Sequence, residues 1–469
     1  MAMQSPRKTP LEILRDVWTS AGGAPDALDA VTLTGTEPAL PSSFAVGTAA
    51  QASVAAAALA AAELWRLRSG KRQRVEVAMR DAAIEFRSER YLQLDGAAPK
   101  ELWDKIAGLY RCGDGRWVRL HTNFPHHRDG MLKLLGCDYS REAVQRALDG
   151  RQGEAFETAA AEAGLVATMT RSFAEWDAHG QGAAVAALPV FTIEKIGDAP
   201  PQPLPAGDRP LAGVRVLDLT RVIAGPVCGR TLATHGADVL WITGAHLPQM
   251  MPLVMDNSRG KLSTYLDLRD ASGRDRLAGL AREADIFVQG YRPGAVAGNG
   301  FGAEQAAQLR PGIVYVSLSA YGHEGPWAKR RGFDSLVQNA NGINDAEAQA
   351  AGADKPTPLP CQALDHAAGF LMAFGAMTAL ARRVTEGGSW HVRVSLAQTG
   401  HWFRNLGRVP NGLAYPDPKP DDVRDRLYDS ESGFGRLTAV RHAAVLDETP
   451  ARWARPSVPP GTYKPEWPS

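Results

Sequence analysis

Residues 211–320 alternate between short apolar segments and helical segments, and this alternation limits the possible folds more than any other feature. VRVLDLT (214–220) and DVLWIT (238–243) are nearly continuous apolar runs, which is typical of strands buried on both faces. STYLDL, ADIFVQ and IVYVSLS are predicted as further strands, with helical segments before the last two. Because buried strands joined through helices form parallel sheets, the sequence predicts an α/β fold with a Rossmann-like parallel sheet.

The first half has a different pattern, which predicts a smaller α+β domain. GLYRCGDGRWVRLHT indicates a hairpin around Gly113-Asp114-Gly115, and mostly helical, polar sequence follows it. The last residues are rich in Pro and lack periodicity; they are predicted to be an extended tail, either disordered or docked through its two Trp. The predicted divisions are an N-terminal segment (1–45), a turn-strand-helix unit (46–95), a small domain (96–197), a Pro-rich linker (198–210), the Rossmann-like domain (211–400) and the tail (401–469).

Composition excludes several classes of function. Lys and Arg number 52 against 51 Asp and Glu, so we expect no nucleic-acid partner and no membrane-surface binding. None of the four Cys belongs to a CxxC pair and no His has zinc-ligand spacing, which predicts neither disulfides nor a structural metal. The apolar run from Val54 is too short to span a bilayer, and the N-terminus has no signal-peptide core, so we expect a cytoplasmic protein.

Asp365 begins a long helix of small residues, directly after a loop that contains Pro360. Taken alone, an Asp at this place is usually an N-cap, because its carboxylate accepts the free N–H groups of the first turn. A carboxylate on a rigid helix is also a suitable nucleophile. Both interpretations of Asp365 are open on this evidence.

An internal duplication bears on that choice. ALAAAELWRLRSGKRQRVEVAMRDAAIEFRS matches AFGAMTALARRVTEGGSWHVRVSLAQTGHWFRN at an offset of 317 residues, the difference between Val75 and Val392. The first copy has no acid from Pro41 to Ala62, and Thr48 lies near the place of Asp365. Thr can replace Asp as a cap but not as a nucleophile, so only one copy keeps a carboxylate that could react.

One stretch at a predicted strand end is a candidate for ligand binding. In LDLTRVIAGP, Val222, Ile223 and Ala224 lie at a strand-to-helix turn, where helix N-termini favour anions; a tight turn without a ligand is the alternative. No GxGxxG and no GxxxxGK[ST] follows, so a redox dinucleotide and a P-loop are not indicated.

Cationic and aromatic residues lie at the ends of two other predicted strands. Arg259 and Lys261 lie before one strand, and Tyr291 and Arg292 follow another. Rings stack on bases and cations pair with phosphates, although solvated loops show the same composition. Tyr321 belongs to the Gly-rich loop of residues 319–334 and is a further candidate contact.

These motifs together resemble the family III CoA-transferases, the group that includes formyl-CoA and carnitine CoA-transferases and the α-methylacyl-CoA racemases. The motifs that carry the resemblance are GVRVLDLTRVIAGP, GADVLWI, SRGKLSTYLDLRD, ADIFVQGYRPG, LRPGIVYVSLSAYGHEGPW, GFDSLVQ and LDHAAGF. The first half resembles the later portion of the family, so the order of the portions is rearranged. Gly290 departs from the family, which commonly has Asn there. The resemblance implies CoA, bound as acyl-CoA, and an interlocked homodimer.

The resemblance also implies roles for residues. The family nucleophile is an Asp in a D-x-x-x-G pattern, here Asp365 and Gly369. Such a carboxylate takes an acyl group as a mixed anhydride and then CoA as a thioester, with no metal or redox cofactor. Racemases of the family have a His where this chain has Phe333, which cannot move a proton, unless His366 or His323 substitutes. A non-catalytic CoA-binding protein is the third hypothesis, because of the rearranged order.

Overall fold

The computed structural model describes residues 7–99 and 102–468. In the first half the elements are α1 Pro10–Ser20, β1 Val31–Thr34, α2 Val46–Ser69, β2 Val75–Ala78, α3 Met79–Glu85, α4 Ser88–Tyr91, β3 Gln93–Leu94, β4 Gly108–Arg111, β5 Trp117–Leu120, α5 Pro125–Leu135, α6 Arg141–Leu148, α7 Gly153–Glu162, β6 Ala167–Met169, α8 Phe173–Ala178, α9 Gly180–Ala186 and β7 Phe191–Gly197.

The second half contains the long apolar helices and strands that the sequence predicts. They are β8 Arg215–Leu219, α10 Ala224–Thr234, β9 Asp238–Thr243, α11 Met251–Asn257, β10 Lys261–Tyr265, α12 Ala271–Arg282, β11 Ile286–Gln289, α13 Ala303–Leu309, β12 Val314–Ser319, α14 Asp334–Ala340, α15 Ile343–Ala351, α16 Ala363–Glu386, β13 Ser389–Ser395 and α17 Leu396–Arg404, followed by β14 Leu427–Ser432, β15 Gly435–Val440 and β16 Ala444–Leu446.

A seven-stranded sheet organises the second half, with the strand order β10-β9-β8-β11-β12-β13-β7. All neighbours are parallel except β7, which runs antiparallel to β13. The predicted α/β class with a parallel sheet is confirmed. Strand β7 lies inside the predicted small domain at 96–197, but it adds an edge strand to the large sheet. Because the order reverses between β8 and β11, the sheet has a switch point there.

The duplication extends to the tertiary structure. Helix α2 lies between the parallel strands β1 and β2, and α16 is the last of three helices between the parallel strands β12 and β13. Both helices have 24 residues, and they pack against each other in the core. Their N-caps, Ala45 and Gln362, are 317 residues apart, which places Thr48 at the position of Asp365. Helix α16 is long and apolar enough to cross a membrane, but 94% of its apolar stretch is buried in the fold.

The small domain has its own core and is fixed to the large domain beside the start of α16. Strands β4, β5 and β6 form an antiparallel sheet. At its edge, Asn339 Nδ2 in α14 donates to the carbonyl oxygen of Thr168 at 2.9 Å, and Thr170 Oγ1 donates to Asn339 Oδ1 at 2.8 Å. These bonds join the β6 side of the small domain to α14, and the loop after β5, with His121 and Asn123, lines a cavity together with Asp334 and Asp365 at the N-termini of α14 and α16.

The C-terminal residues are docked on both halves of the fold. Strands β14 and β15 form a hairpin that pairs with β3, and β16 pairs with β2, so residues 427–446 are strands where the sequence interpretation placed a tail. Beyond them, Trp453 Nε1 donates to the carbonyl oxygen of Arg230 at 3.1 Å, and Trp467 Nε1 donates to that of Leu280 at 3.2 Å. Both Trp residues therefore anchor the final segment.

Candidate active site

The N-terminus of α16 is capped by a residue from another helix. Gln362 is the N-cap and Asp365 is the third helical residue. The Oδ2 atom of Asp334 accepts the backbone N–H of Leu364 at 2.9 Å and that of Asp365 at 3.0 Å. Gln338 Nε2 holds the other oxygen of Asp334 at 2.5 Å. Asp365 is therefore not the cap, and no described residue donates a hydrogen bond to its carboxylate.

Asp365 lies in a strongly perturbed electrostatic environment. Burial, together with the charges of Asp334 and Glu89, raises its pKa well above the usual range of an aspartate. Burial also raises the pKa of Asp334 to about 6, despite the N–H groups that it accepts. Burial of Glu89 opposes ionisation, but the hydrogen bond with His366 at 3.1 Å and the charges of His366 and Arg90 together outweigh it and lower the pKa of Glu89. A buried carboxyl group with a strongly perturbed pKa that lines a cavity is a candidate functional residue.

Gly369 brings a second helix to this carboxylate. It lies one turn after Asp365, and a Cβ there would stand 2.5 Å from the carbonyl oxygen of Ala224 and 2.7 Å from Val227 Cβ. Only glycine permits this approach of α10 to α16. The D-x-x-x-G pattern thus places Asp365 beside the N-terminus of α10.

The loop between β8 and α10 lies at the switch point of the sheet. Val222 has a φ of 76°, an unfavourable value for a β-branched residue. Such strain persists where the surrounding structure enforces it, often at ligand sites. Among the described residues no side chain caps the N-terminus of α10, which begins at Ala224. Both features are typical of a site that binds an anionic ligand.

A cavity of about 310 Å³, the arginine cavity, extends from Asp365 along this switch point. The predicted residues Val222, Ile223, Ala224, Tyr291 and Arg292 all line it. Its further cations are Arg221, Arg330 and Arg331. Within residues 7–99 and 102–468, none of its four arginines lies in a salt bridge. Unpaired guanidinium groups at a half-buried cavity suit phosphate groups.

A second cavity, the aromatic cavity, opens on the other side of Asp365 and measures about 300 Å³. Its walls include Trp103 and His121 from the small domain and Leu253 from α11. The two cavities share four residues, namely Val222, Ile223, Phe333 and Asp365. The Asp365 carboxylate thus lies where a cationic cavity and an aromatic one meet.

Arg259 and Lys261, two further predicted contacts, line neither of these two cavities, and Lys261 lines a smaller neighbouring one together with Arg221 and Val222. Arg259 Nη2 pairs with Asp256 Oδ1 at 2.5 Å, and its guanidinium stacks 4.2 Å from the ring centre of Trp453. Lys261 Nζ pairs with the buried carboxylate of Asp218 at 2.8 Å. Both side chains are 2% exposed, and both neutralise buried carboxylates.

Tyr321 lies near the site but not in either cavity. It is 2% exposed and packs edge-on against Trp327, with ring centres 5.0 Å apart. It lines a wider cleft that also contains Arg292, Arg330 and Arg331. Burial raises the pKa of its hydroxyl. The residue supports the wall of the arginine cavity from behind.

Several site residues come from stretches that the sequence interpretation did not assign. Phe124 and His127 of the small domain line the arginine cavity, and Arg330 and Arg331 join it from the loop before α14. The basic run KRR before Phe333 was the available signal. Of the alternative bases, His323 is exposed beside Glu324, and His366 is held by Glu89.

Comparison with known proteins identifies the family of this chain. The sequence model of CoA-transferase family III matches residues 26–202 and 211–420. The chain belongs to this family. It is 30% identical over 268 residues to a probable fatty acyl-CoA transferase of Mycobacterium tuberculosis, covering 53% of this chain and 68% of that protein.

Two other relatives are matched over smaller shares. An acetyl-coenzyme A transferase of Hypoxylon pulicicidum is 36% identical over 42% of this chain and 34% of its own length. The human succinyl-CoA:glutarate CoA-transferase is 31% identical over 36% of this chain and 41% of its own length. The chain thus spans between about a third and two thirds of these relatives. A crystal structure of the M. tuberculosis protein has 31% identity and a TM-score of 0.39, over 41% of this chain and 54% of that one, so family membership rests on sequence.

Proposed function

We propose that this chain is a CoA-transferase that moves CoA from an acyl-CoA thioester to a carboxylic acid, with Asp365 as the nucleophile. One observation carries the proposal: Asp334 caps α16, so the Asp365 carboxylate receives no hydrogen bond from the described residues and lies between two cavities. The arginine cavity supports binding of CoA, because its guanidinium groups match phosphates at a sheet switch point.

The proposed chemistry needs only the Asp365 carboxylate. One oxygen attacks the thioester carbonyl carbon, the C–S bond breaks, and CoA leaves as a thiolate, which gives an aspartyl mixed anhydride. The thiolate attacks the Asp365 carbonyl carbon and releases the donor acid as a carboxylate, which leaves an aspartyl-CoA thioester. The acceptor carboxylate attacks this thioester, forming a second anhydride and CoA thiolate. Attack of that thiolate on the acceptor carbonyl gives the new acyl-CoA and restores Asp365.

The same site supports a transferase over a racemase. Phe333, which stands where racemases of the family have a His, lies in both cavities and stacks on His121 with ring centres 3.9 Å apart. A phenyl ring cannot remove a proton from an α-carbon. The proposal therefore expects no deuterium incorporation at the α-carbon of a 2-methylacyl-CoA in D₂O.

The proposal includes the homodimer and the cytoplasmic location that we expect from the sequence. The four cysteines are free thiols, which is consistent with a reducing compartment. One chain supplies both walls of the candidate site, since Trp103 and His121 come from the small domain and Asp365 from α16. Light scattering tests the dimer, with a mass of about twice the 50.3 kDa of one chain as the expected result.

The experiment that tests the function is a transfer assay with a matched pair of variants. Several acyl-CoA donors are incubated with a panel of carboxylic acids, and new thioesters are measured by mass spectrometry. Asp365→Asn is expected to lower kcat by at least 10³-fold, the scale for loss of a covalent nucleophile. Asp354→Asn makes the same change at an exposed residue and is expected to leave kcat unchanged. Equal activity of both variants would refute the role of Asp365.

A further inference from the structure

The charge of the aromatic cavity differs sharply from that of the arginine cavity. The charged residues that line it are Glu89, Arg90, Asp334 and Asp365, so carboxylates outnumber the single cation. The guanidinium of Arg90 already lies 3.8 Å from Glu89 Oε1 and 3.5 Å from Gln362 Oε1. A second carboxylate on a bound acyl group would face like charges in a half-buried space, which is unfavourable.

The walls of the aromatic cavity are apolar and planar. The imidazole of His121 stacks on Phe333 with an interplanar angle of 14°, and Trp103 meets its edge with ring centres 5.7 Å apart. Met250 and Leu253 add an aliphatic wall. Such walls bury a ring or a branched chain by stacking and by removing apolar surface from water.

Four buried polar atoms of this cavity have no hydrogen-bond partner among the described residues, and one of them, Glu89 Oε1, lies 3.8 Å from the guanidinium of Arg90. The other three are both ring nitrogens of His121 and the hydroxyl of Ser335. The two residues are 4% and 3% exposed, respectively. Burial holds the pKa of His121 at about 3, so the neutral ring presents one donor and one acceptor. Buried polar atoms are normally paired, and each unpaired one costs stability until a ligand or water reaches it.

We infer that the aromatic cavity binds the acyl group of the substrate, and that this group is uncharged, has an aromatic or branched apolar body, and bears a hydroxyl that bonds to His121 and Ser335. This inference rests on the proposed function, because it assumes that the acyl carbon reacts at Asp365. His121 then determines specificity by forming a hydrogen bond with the hydroxyl of the acyl group. The carboxylates of the cavity disfavour dicarboxylic acyl groups.

The test measures acylation of Asp365 by hydroxylamine trapping and peptide mass spectrometry. The probes are the CoA thioesters of 3-phenylpropanoate, its 2-hydroxy, 3-hydroxy and 4-hydroxyphenyl isomers, and glutarate. One hydroxylated isomer is expected to label about tenfold faster than the parent, the effect of one or two neutral hydrogen bonds, with glutaryl-CoA slowest. A faster rate for glutaryl-CoA, or no preference for any hydroxylated isomer, would overturn the inference.

Variants separate this inference from the proposed function. His121→Phe keeps an aromatic ring on Phe333 and is expected to lower the labelling rate of the preferred isomer about tenfold more than that of the parent. Ser335→Ala provides a second, smaller test. His401→Phe is the matched control, since His401 lines neither cavity. Labelling at Asp365 by glutaryl-CoA alone overturns only the inference, whereas no labelling by any thioester overturns the proposed function as well.

Discussion

The carboxylate of Asp334 accepts the backbone N–H of Asp365, with 3.0 Å between the nitrogen and Oδ2. Asp334 thus caps the helix, which leaves the Asp365 carboxylate free of that role. Asp334→Ala removes the acceptor for two N–H groups of α16 and is expected to destabilise the fold by about 1–3 kcal/mol. It should also lower kcat at least tenfold, because Asp365 loses its fixed position.

Asp334→Asn is the conservative comparison for that variant. Its side-chain oxygen can still accept the N–H groups, so urea unfolding should show a smaller loss of stability than in Asp334→Ala. Wild-type kcat in Asp334→Ala would contradict a positioning role for this residue.

The pH dependence of transfer follows from the raised pKa of Asp365. Only the carboxylate attacks, and the pKa lies above the ordinary 3.8, so kcat/KM should fall on acidification at a higher pH than for an ordinary aspartate. Glu89→Gln removes a neighbouring negative charge and should move this acid limb to lower pH. Glu386→Gln, an exposed acid at the other end of α16, should leave it in place. A pH–rate profile that is the same for both variants would contradict the assigned electrostatics.

Gly369 is predicted to be essential for the contact between α16 and α10. In Gly369→Ala the new methyl group would stand 2.5 Å from the carbonyl oxygen of Ala224, and overpacking of this kind costs about 1–3 kcal/mol. The displaced α10 should also weaken acyl-CoA binding. Gly279→Ala is a matched helical control, because a Cβ there meets no atom within 4 Å. It should be neutral or stabilising by up to about 1 kcal/mol. Thermal unfolding of both variants checks the prediction.

Arg292 is predicted to contribute to acyl-CoA binding, whereas Arg259 is predicted to contribute to the stability of the fold. Arg292→Gln removes a cavity cation and should raise KM for acyl-CoA about tenfold with little change in unfolding. Arg259→Gln leaves buried Asp256 with one cation fewer and should destabilise the fold by about 3–5 kcal/mol, without a specific change in KM. Steady-state kinetics and denaturant unfolding distinguish the two. A raised KM in Arg259→Gln without a loss of stability would favour Arg259 as a ligand contact.

The strands were predictable because their signals are local. Apolar runs identify β8, β9, β11 and β12, and the pattern from Asp365 to Gly369 encodes a close helix contact. The start of β10 at Lys261, two residues before the predicted STYLDL, was not predictable, since pairing of Lys261 with Val239 sets it.

Other features depend on contacts between distant residues. Arg259 forms an ion pair with Asp256, and Lys261 forms one with Asp218. A single sequence does not show which cations pair with buried carboxylates. The cap of α16 comes from Asp334, 31 residues earlier in the chain. The small-domain wall with His121 likewise arises from tertiary packing.

Formation of a covalent adduct on Asp365 is the most direct measurement of the central claim. The protein is mixed with an acyl-CoA that it uses, quenched with hydroxylamine, and digested for peptide mass spectrometry. The account predicts a hydroxamate at Asp365 that appears only with donor and is lost in Asp365→Asn but kept in Asp354→Asn. Transfer activity with an unmodified Asp365, or with the adduct on another residue, would contradict the account.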